Sequence, residues 1–254
     1  MTEHSPDSIW SHEVGPEGAP LIVLVHGAMD RSAGMLKLSR KLDDTYRVLR
    51  YDRRGYGRSK PHAGPFTMDA QVDDLARLIG GRRAIVFGHS YGGNVALALA
   101  ERHPDLVRAV AVYETPLPWT EWWPGFSRRN PAATEGTPGD AAEQFMRRMV
   151  GNRRWETMPD RSRDERRSEG VAFVTELREL ARHAPWDAAK IDVPFTVMFG
   201  EQAREHHRDA SRYLAELLSD RDAIEISAAN HNGPFTHPEP VADVLRNLAT
   251  RAPT

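Results

Sequence analysis

The sequence predicts an α/β fold, a doubly wound and mostly parallel sheet with helices on both faces. Short apolar runs recur at 21–25, 47–51, 84–87, 109–113, 195–199 and 223–227. They are rich in β-branched residues and mostly lack polar alternation, which is typical of strands buried on both faces. Helical patterns separate these runs, and strands that alternate with helices indicate a parallel sheet. Ligands then bind at the carboxyl ends of the strands.

Two of the helical segments are the clearest. The first follows Thr67, a candidate N-cap, and ends at Gly80-Gly81. Its apolar stripe has helical spacing and consists of Met68, Val72, Leu75 and Ile79. The last helix carries a similar stripe, Val241, Leu245 and Leu248.

One long stretch, 116–186, lacks a strand signal, and prolines and glycines interrupt its first part. We predict that it is a helical lid inserted into a core domain formed by 1–115 and 187–254. Most of the tryptophans fall in this stretch. They form either the core of the lid or an apolar substrate pocket between lid and sheet. The residues that we assign to the pocket are Met29, Trp119, Trp122 and Trp123.

Composition narrows the classes of partner. The net charge of −2 gives no basic field for nucleic acid or a membrane surface, so we expect a small-molecule substrate. The chain has no cysteine, which excludes disulfides, thiolate catalysis and thiolate metal sites. It shows neither a signal-peptide pattern nor a run of about 18 apolar residues, so we expect a soluble cytoplasmic protein. The oligomeric state stays open, a homodimer included.

A single serine stands on a predicted strand-to-helix turn. The run Gly88-His89-Ser90-Tyr91-Gly92 follows the apolar residues 84–87 and precedes a long run of alanine and leucine. The two glycines let the backbone bend sharply and keep side chains away from the Ser90 hydroxyl. This pattern predicts a nucleophile elbow, with Ser90 as the nucleophile.

Two further motifs accompany the elbow. The run Leu24-Val25-His26-Gly27-Ala28-Met29 ends a strand in His-Gly, and 52–59 match D-x-R-G-x-G-x-S. With these motifs the chain resembles the α/β-hydrolase superfamily over nearly all of its length. The resemblance implies the α/β-hydrolase fold and an oxyanion hole made by the backbone N–H groups of Ala28 and Tyr91, with neither metal nor cofactor required. For 52–59 we expect a structural role, in which Asp and Arg side chains brace neighbouring loops.

The base that activates Ser90 is expected to be His231. It follows the last predicted strand, and Pro238-Glu239 stand where the superfamily closes its fold. The usual Gly-x-Gly-His reads Ala228-Ala229-Asn230-His231 here. His237 is the rival in that loop. For His26 and His89 we expect hydrogen-bonding or pocket-lining roles. His206 and His207 are interpreted as exposed residues at a helix start, because a metal role would need convergent carboxylates.

The acid that orients His231 is not found at the position where most of the superfamily has it. In most of the superfamily it is an Asp in a G-x-x-D pattern, but the corresponding residues are Gly200-Glu201-Gln202-Ala203. Glu114 directly follows the preceding strand, and there the chain resembles certain haloalkane dehalogenases and zearalenone-type lactonases. We favour Glu114, which keeps the order nucleophile, acid, histidine. Glu201, Glu205 and a dyad without an acid remain alternatives.

These residues together predict a serine hydrolase that cleaves a carboxylic ester or lactone of a small, largely apolar substrate. Serine at position 90 argues against the chemistry of epoxide hydrolases and dehalogenases, which use an Asp nucleophile. Thioester, C–C bond and perhydrolase-type reactions share the same residues and stay open. So do a ligand-binding protein without turnover and an enzyme that works without an acyl intermediate.

Overall fold

The sheet is the scaffold on which every candidate residue stands. The computed structural model describes residues 8–124, 136–218 and 222–252. In these ranges the sheet has seven strands in the order β1-β3-β2-β4-β5-β6-β7, and only β1 is antiparallel to its neighbour. The strands are β1 Ser11–Val14, β2 Leu21–Val25, β3 Arg47–Tyr51, β4 Ala84–His89, β5 Val107–Tyr113, β6 Phe195–Gly200 and β7 Ile224–Ile226.

The predicted strands agree with the structure. The bounds of β2 and β3 are those predicted, and the other four predicted strands are correct within two residues at either end. The sequence did not predict β1. This strand is four residues long, partly exposed, and contains only one apolar residue, Val14, so it lacks the apolar run that marks the buried strands.

Helices cover both faces of the sheet, which explains why the buried strands do not alternate with polar residues. Leu21, Val23 and Val25 pack with α2, α3 and α8, whereas Ile22 and Leu24 pack with α1 and α10 on the other face. The helices are α1 Leu36–Ser39, α2 Met68–Ile79, α3 Tyr91–Arg102, α4 Pro138–Val150, α5 Asn152–Glu156, α6 Asp160–Arg167, α7 Gly170–Leu180, α8 Glu205–Leu218, α9 Gly233–Thr236 and α10 Pro238–Arg251. Among the described residues, no helix is both long enough and apolar enough to cross a membrane.

Both predicted ends of α2 are confirmed. The Ala70 N–H donates to the Thr67 side chain at 3.3 Å, and Gly80 closes the helix in the left-handed conformation with φ 65°. A residue with a Cβ would be strained at that φ, so the glycine fixes where the helix stops.

Between β5 and β6 the described residues form only helical and irregular structure, as predicted. Helices α4, α5 and α7 share an apolar cluster with Met29 and Tyr56 from the core. Trp155, buried in this cluster, belongs to the core of the segment. Part of the predicted lid, 125–135, lies outside the described residues.

Candidate active site

Ser90 stands on the tight turn between β4 and α3. Its backbone is strained, with φ 53° and ψ −125°, and the Ser90 N–H donates to the Tyr113 carbonyl at 2.9 Å. A non-glycine residue in such a conformation persists only when the surrounding structure enforces it. The residue is half-buried, so its hydroxyl remains accessible at the carboxyl end of the sheet.

The two glycines of the elbow are required by close backbone contacts. A Cβ on Gly88 would lie 2.4 Å from the Gly92 carbonyl oxygen, and one on Gly92 would lie 2.4 Å from the Val25 carbonyl oxygen. Any side chain at either position would therefore push α3 away from β2 and β4. The glycines allow the strand and the helix to meet closely enough to hold the turn.

Glu114 and His231 are in direct contact. Glu114 Oε2 accepts a hydrogen bond from His231 Nδ1 at 2.7 Å, and Glu114 Oε1 accepts from the Gly200 N–H at 3.0 Å. The Glu114 side chain is fully buried, whereas 21% of the His231 side chain is exposed. With Nδ1 protonated by this contact, Nε2 is the nitrogen of His231 that can accept a proton. Among the described residues no hydrogen bond joins Ser90 Oγ to His231.

The other candidate acids do not contact His231. Glu201 is exposed, and its carboxylate accepts from the Ala228 N–H at 2.6 Å and from the Ser227 hydroxyl at 3.1 Å. These hydrogen bonds lower the pKa of Glu201. Glu205 is exposed at the start of α8. Ala203, where the superfamily usually has its Asp, is a buried apolar residue.

In the loop that carries His231, the first of the two usual glycine positions is occupied by Ala228 and keeps the backbone conformation that glycine favours. Ala228 adopts the left-handed conformation with φ 57°, the backbone geometry that favours glycine at this position. The Glu201 carboxylate holds the Ala228 N–H, and the Tyr113 hydroxyl donates to the Asn230 carbonyl at 2.7 Å. Side chains from the neighbouring strands thus fix a loop whose own sequence departs from the common pattern.

His89 has the hydrogen-bonding role that the sequence indicated. Its Nε2–H donates to the His231 carbonyl at 2.8 Å, and the two rings lie 4.8 Å apart. Burial lowers the pKa of His89 to about 3, so its ring stays neutral at neutral pH. His89 therefore fastens the residue next to Ser90 to the backbone of His231. His26 is likewise hydrogen-bonded, since its Nε2 accepts from the Arg53 N–H at 2.9 Å.

The prediction that His206 and His207 are exposed residues at a helix start was wrong in one respect, because both are half-buried. His207 does stand in the first turn of α8, but its ring stacks on the His231 ring at 4.5 Å, and burial lowers its pKa well below the ordinary value. Trp123 contacts the His207 ring edge-on at 5.4 Å and the His206 ring at 4.9 Å. Sequence spacing could not reveal this contact, because only the folded sheet brings α8 and the loop of His231 together.

The backbone N–H groups of Ala28 and Tyr91 are not used in hydrogen bonds within the part of the chain that the structure describes. Tyr91 is the first residue of α3, where the helix dipole favours negative charge. Gly27 also approaches the nucleophile, because a Cβ built on it would lie 3.1 Å from Ser90 Cβ.

A buried arginine holds the loop before Ala28. Arg53 donates from Nε to the His26 carbonyl at 3.0 Å and from Nη2 to the Gly27 carbonyl at 3.1 Å. It also pairs with Glu176 of α7 at 2.8 Å. Burial alone would lower the pKa of Arg53, but the Glu176 carboxylate raises it, so the guanidinium stays charged. The sequence assigned this motif a structural role without indicating the partner, which lies 123 residues away.

Other members of the same motif brace the loops, as predicted. Asp52 accepts from the Ser32 N–H at 2.7 Å and from the Arg58 N–H at 2.9 Å. Arg54 pairs with Asp74 of α2 at 2.7 Å. These contacts tie the loop after β3 to the loop after β2 and to α2.

The four residues assigned to the substrate pocket occupy different surroundings. Met29 is buried against α4, α5 and α7, and Trp119 packs edge-to-face on Trp186 at 5.7 Å. Trp123 is buried beside His207, whereas 44% of Trp122 is exposed. A cavity of about 730 Å³ lies elsewhere, and neither these four residues nor Ser90 line it. It is bordered by the loop after β3, α6 and α7, with Lys60, Phe66 and Glu165 in its wall.

Comparison with known proteins assigns a family to this architecture. Residues 22–244 match the model of the alpha/beta hydrolase family. The lipase LipV of Mycobacterium tuberculosis is 36% identical over 103 residues, which cover 39% of each chain. The 2-(acetamidomethylene)succinate hydrolase of Mesorhizobium japonicum is 36% identical over 107 residues, 40% of this chain and 38% of that protein. Each match thus spans about two fifths of the curated relative's length.

Solved structures share the fold over almost the full chain. A thermophilic esterase from Thermogutta terrifontis superposes with a TM-score of 0.77 at 20% identity, covering 96% of this chain and 93% of the other. The enol-lactonase from Burkholderia xenovorans LB400 gives 0.76 at 24% identity, covering 95% and 96%. With the mostly parallel sheet, the strained serine turn and a family match over 22–244, the chain belongs to the alpha/beta hydrolase family.

Proposed function

We propose that this hydrolase cleaves carboxylic esters or lactones of small, largely apolar molecules, with Ser90 as nucleophile, His231 as base and Glu114 as acid. The observation that carries the proposal is the 2.7 Å hydrogen bond from His231 Nδ1 to the buried Glu114, at the edge of the sheet that also carries the Ser90 turn. A lipase among the relatives, and an esterase and an enol-lactonase with the same fold, support the choice of ester and lactone substrates.

The reaction follows from these positions. His231 Nε2 takes the proton of Ser90, and Oγ attacks the carbonyl carbon. Negative charge moves to the carbonyl oxygen, where the N–H groups of Ala28 and Tyr91 stabilise it by roughly 3 kcal/mol each. His231 then gives its proton to the leaving alkoxide. Water, deprotonated by His231, attacks the acyl-enzyme and releases the acid and Ser90.

Glu114 contributes by fixing and stabilising His231. Its carboxylate keeps the proton on Nδ1, so that Nε2 faces the reaction as an acceptor, and it stabilises the imidazolium that forms. The Gly200 N–H holds the second oxygen of Glu114, which prevents the carboxylate from rotating away. Catalytic hydrogen bonds are often long in free enzymes and tighten with substrate bound, so the missing Ser90–His231 hydrogen bond is compatible with this mechanism.

In this proposal α4–α7 form the lid, and Met29, Trp119, Trp122 and Trp123 line the substrate pocket beneath it. The apolar cluster that Met29 shares with α4, α5 and α7 supports a direct connection between the lid and the oxyanion loop. Arg166 of α6 adds a polar connection, because it donates to the Met29 carbonyl at 2.9 Å. Trp119 and Trp123 belong to the main apolar cluster, and Trp123 contacts His207 in the first turn of α8.

The test is hydrolysis of a panel of nitrophenyl esters, thioesters and lactones by the wild type and by Ser90→Ala. We expect turnover of esters or lactones that falls by roughly 10³-fold or more in the variant, because the acyl-enzyme cannot form. Activity that survives Ser90→Ala would contradict the proposal and favour a reaction without an acyl intermediate. Ligand binding without turnover in the wild type would favour the non-catalytic alternative.

A further inference from the structure

Three potential metal ligands converge at the carboxyl end of the sheet. Glu114, His207 and His231 each offer one ligand atom, and these atoms all lie within 4.8 Å of one another. They come from three separate elements: the end of β5, the first turn of α8 and the loop after β7. The carboxylate that a metal role for His207 would require is therefore present, although spacing along the chain did not place Glu114 beside His207.

The donor set suits a zinc-class cation. Two imidazoles and one carboxylate, with a fourth position open to water, are a common arrangement for Zn²⁺ and similar ions. Ligands on a tetrahedral ion are about 3.3 Å apart when metal–ligand distances are about 2.0–2.2 Å. On binding, the widest separation, up to 4.8 Å, therefore has to shrink by about 1.5 Å, and the 2.7 Å contact between Glu114 and His231 has to lengthen.

His207 is the member of the cluster that the catalytic proposal does not use. Its Nδ1 is buried and has no hydrogen-bond partner among the described residues. A buried polar nitrogen without a partner is costly, so its presence calls for an explanation. The ring lies between Trp123 and His231, and a neutral imidazole there has a lone pair to donate.

We propose that Glu114, His207 and His231 reversibly bind one divalent cation of the zinc class, and that the bound ion inhibits the enzyme. The ion takes the place of the proton on Nδ1, because Nδ1 is the nitrogen of His231 that faces Glu114. The ring's proton then lies on Nε2, so this nitrogen can no longer accept the proton of Ser90. The inhibition rests on the proposed function, whereas the binding does not.

The binding is tested without a substrate. The protein is stripped with a chelator and then competes with a chromophoric chelator for Zn²⁺, in the wild type and in His207→Gln. The matched control is His206→Gln, because His206 is the adjacent residue and lies outside the cluster. Even outer-shell partners are worth roughly 10–100-fold in metal affinity, so we expect loss of His207 to weaken binding by at least about tenfold. His206→Gln should bind as the wild type does.

The spectrum of Co²⁺ bound in place of Zn²⁺ provides a second measurement that needs no variant. We expect one equivalent per chain, with the visible bands of a four-coordinate nitrogen and oxygen site. Absence of stoichiometric binding to the wild type, or equal affinity in His207→Gln, would overturn the proposal. So would a loss in His206→Gln as large as in His207→Gln.

Inhibition is measured on whichever ester the panel identifies, as the rate with Zn²⁺ relative to each protein's own rate without it. The wild type should lose activity at the Zn²⁺ concentration that fills the site and recover it when the ion is chelated. His207→Gln should need at least about tenfold more Zn²⁺. If the wild type binds Zn²⁺ but hydrolyses no ester, the metal site is supported and the proposed function is refuted. Stoichiometric binding that leaves ester hydrolysis unchanged would refute the inhibition.

Discussion

The carboxyl ends of β5 and β6 lie side by side, and each is followed by a glutamate with a different task. Glu114, after β5, is fully buried and contacts His231, whereas Glu201, after β6, is exposed and contacts the backbone of Ala228. One carboxylate reaches the imidazole and the other reaches the loop that carries it. Two neighbouring strand ends therefore position one histidine together: Glu114 holds its ring, and Glu201 holds the backbone of its loop.

The two ends are also joined directly. The Gly200 N–H at the end of β6 donates to Glu114 Oε1, and the Glu114 N–H donates to the Met198 carbonyl of β6. The backbone of β6 therefore supports the acid of β5, although Ala203 leaves β6 without an acid in the usual place. The longer side chain of glutamate, on a backbone turned to φ 46°, provides the reach to His231.

The largest effect that we expect is a loss of kcat on substitution of Glu114 but not of Glu201. Glu114→Gln should lower kcat by about 10³–10⁴-fold, because an amide no longer fixes the Nδ1–H tautomer or stabilises the imidazolium. Glu201→Gln, the matched control, should keep kcat within a few-fold. Initial rates on an ester from the panel measure both. Equal losses in the two variants would mean that the contact with the ring has no special role.

Moving the acid from the end of β5 to the end of β6 tests whether both strand ends can position a carboxylate for His231. Glu114→Ala combined with Ala203→Asp places a carboxylate where most of the superfamily has one. We expect the rate of the double variant to be roughly tenfold or more above that of Glu114→Ala, since triads depend on geometry rather than on position in the chain. Glu114→Ala with Ala203→Asn is the control. A double variant no faster than this control would show that β6 can no longer position an acid.

The smallest effect concerns the loop that Glu201 holds. Ala228→Gly should stabilise the fold by roughly 0.5–1 kcal/mol, because glycine adopts φ 57° without strain and this gain exceeds its entropic cost in the unfolded chain. The free energy of unfolding in urea measures it. Ala229→Gly, at a buried neighbour without a positive φ, should instead destabilise the fold. Destabilisation by both variants would contradict the assigned strain at Ala228.

Features that lie within one strand, helix or turn could be predicted from the sequence. Patterns within one strand or helix were predictable: β2 and β3 have the predicted bounds, and Thr67 and Gly80 delimit α2. The turn at Ser90 was predictable because its glycines are adjacent in the chain. Strand β1 was not, because its partly exposed residues carry no apolar run.

Contacts between distant segments could not be predicted from the sequence. The ion pair of Arg53 with Glu176 and the stacking of His207 on His231 join residues that only the folded sheet brings together. Spacing along the chain carries no information on such pairs. The sequence therefore indicated the elements that bear the candidate residues but not the partners that orient them.

Covalent labelling tests whether the strained turn after β4 presents Ser90 as a nucleophile activated by His231 and Glu114. The protein is treated with an organophosphonate that phosphonylates activated serines, and the adduct is located by intact mass and peptide mapping. We expect one adduct per chain on Ser90, absent in Ser90→Ala and formed far more slowly in Glu114→Gln. No adduct on the folded wild type, or an adduct that persists in Ser90→Ala, would contradict it.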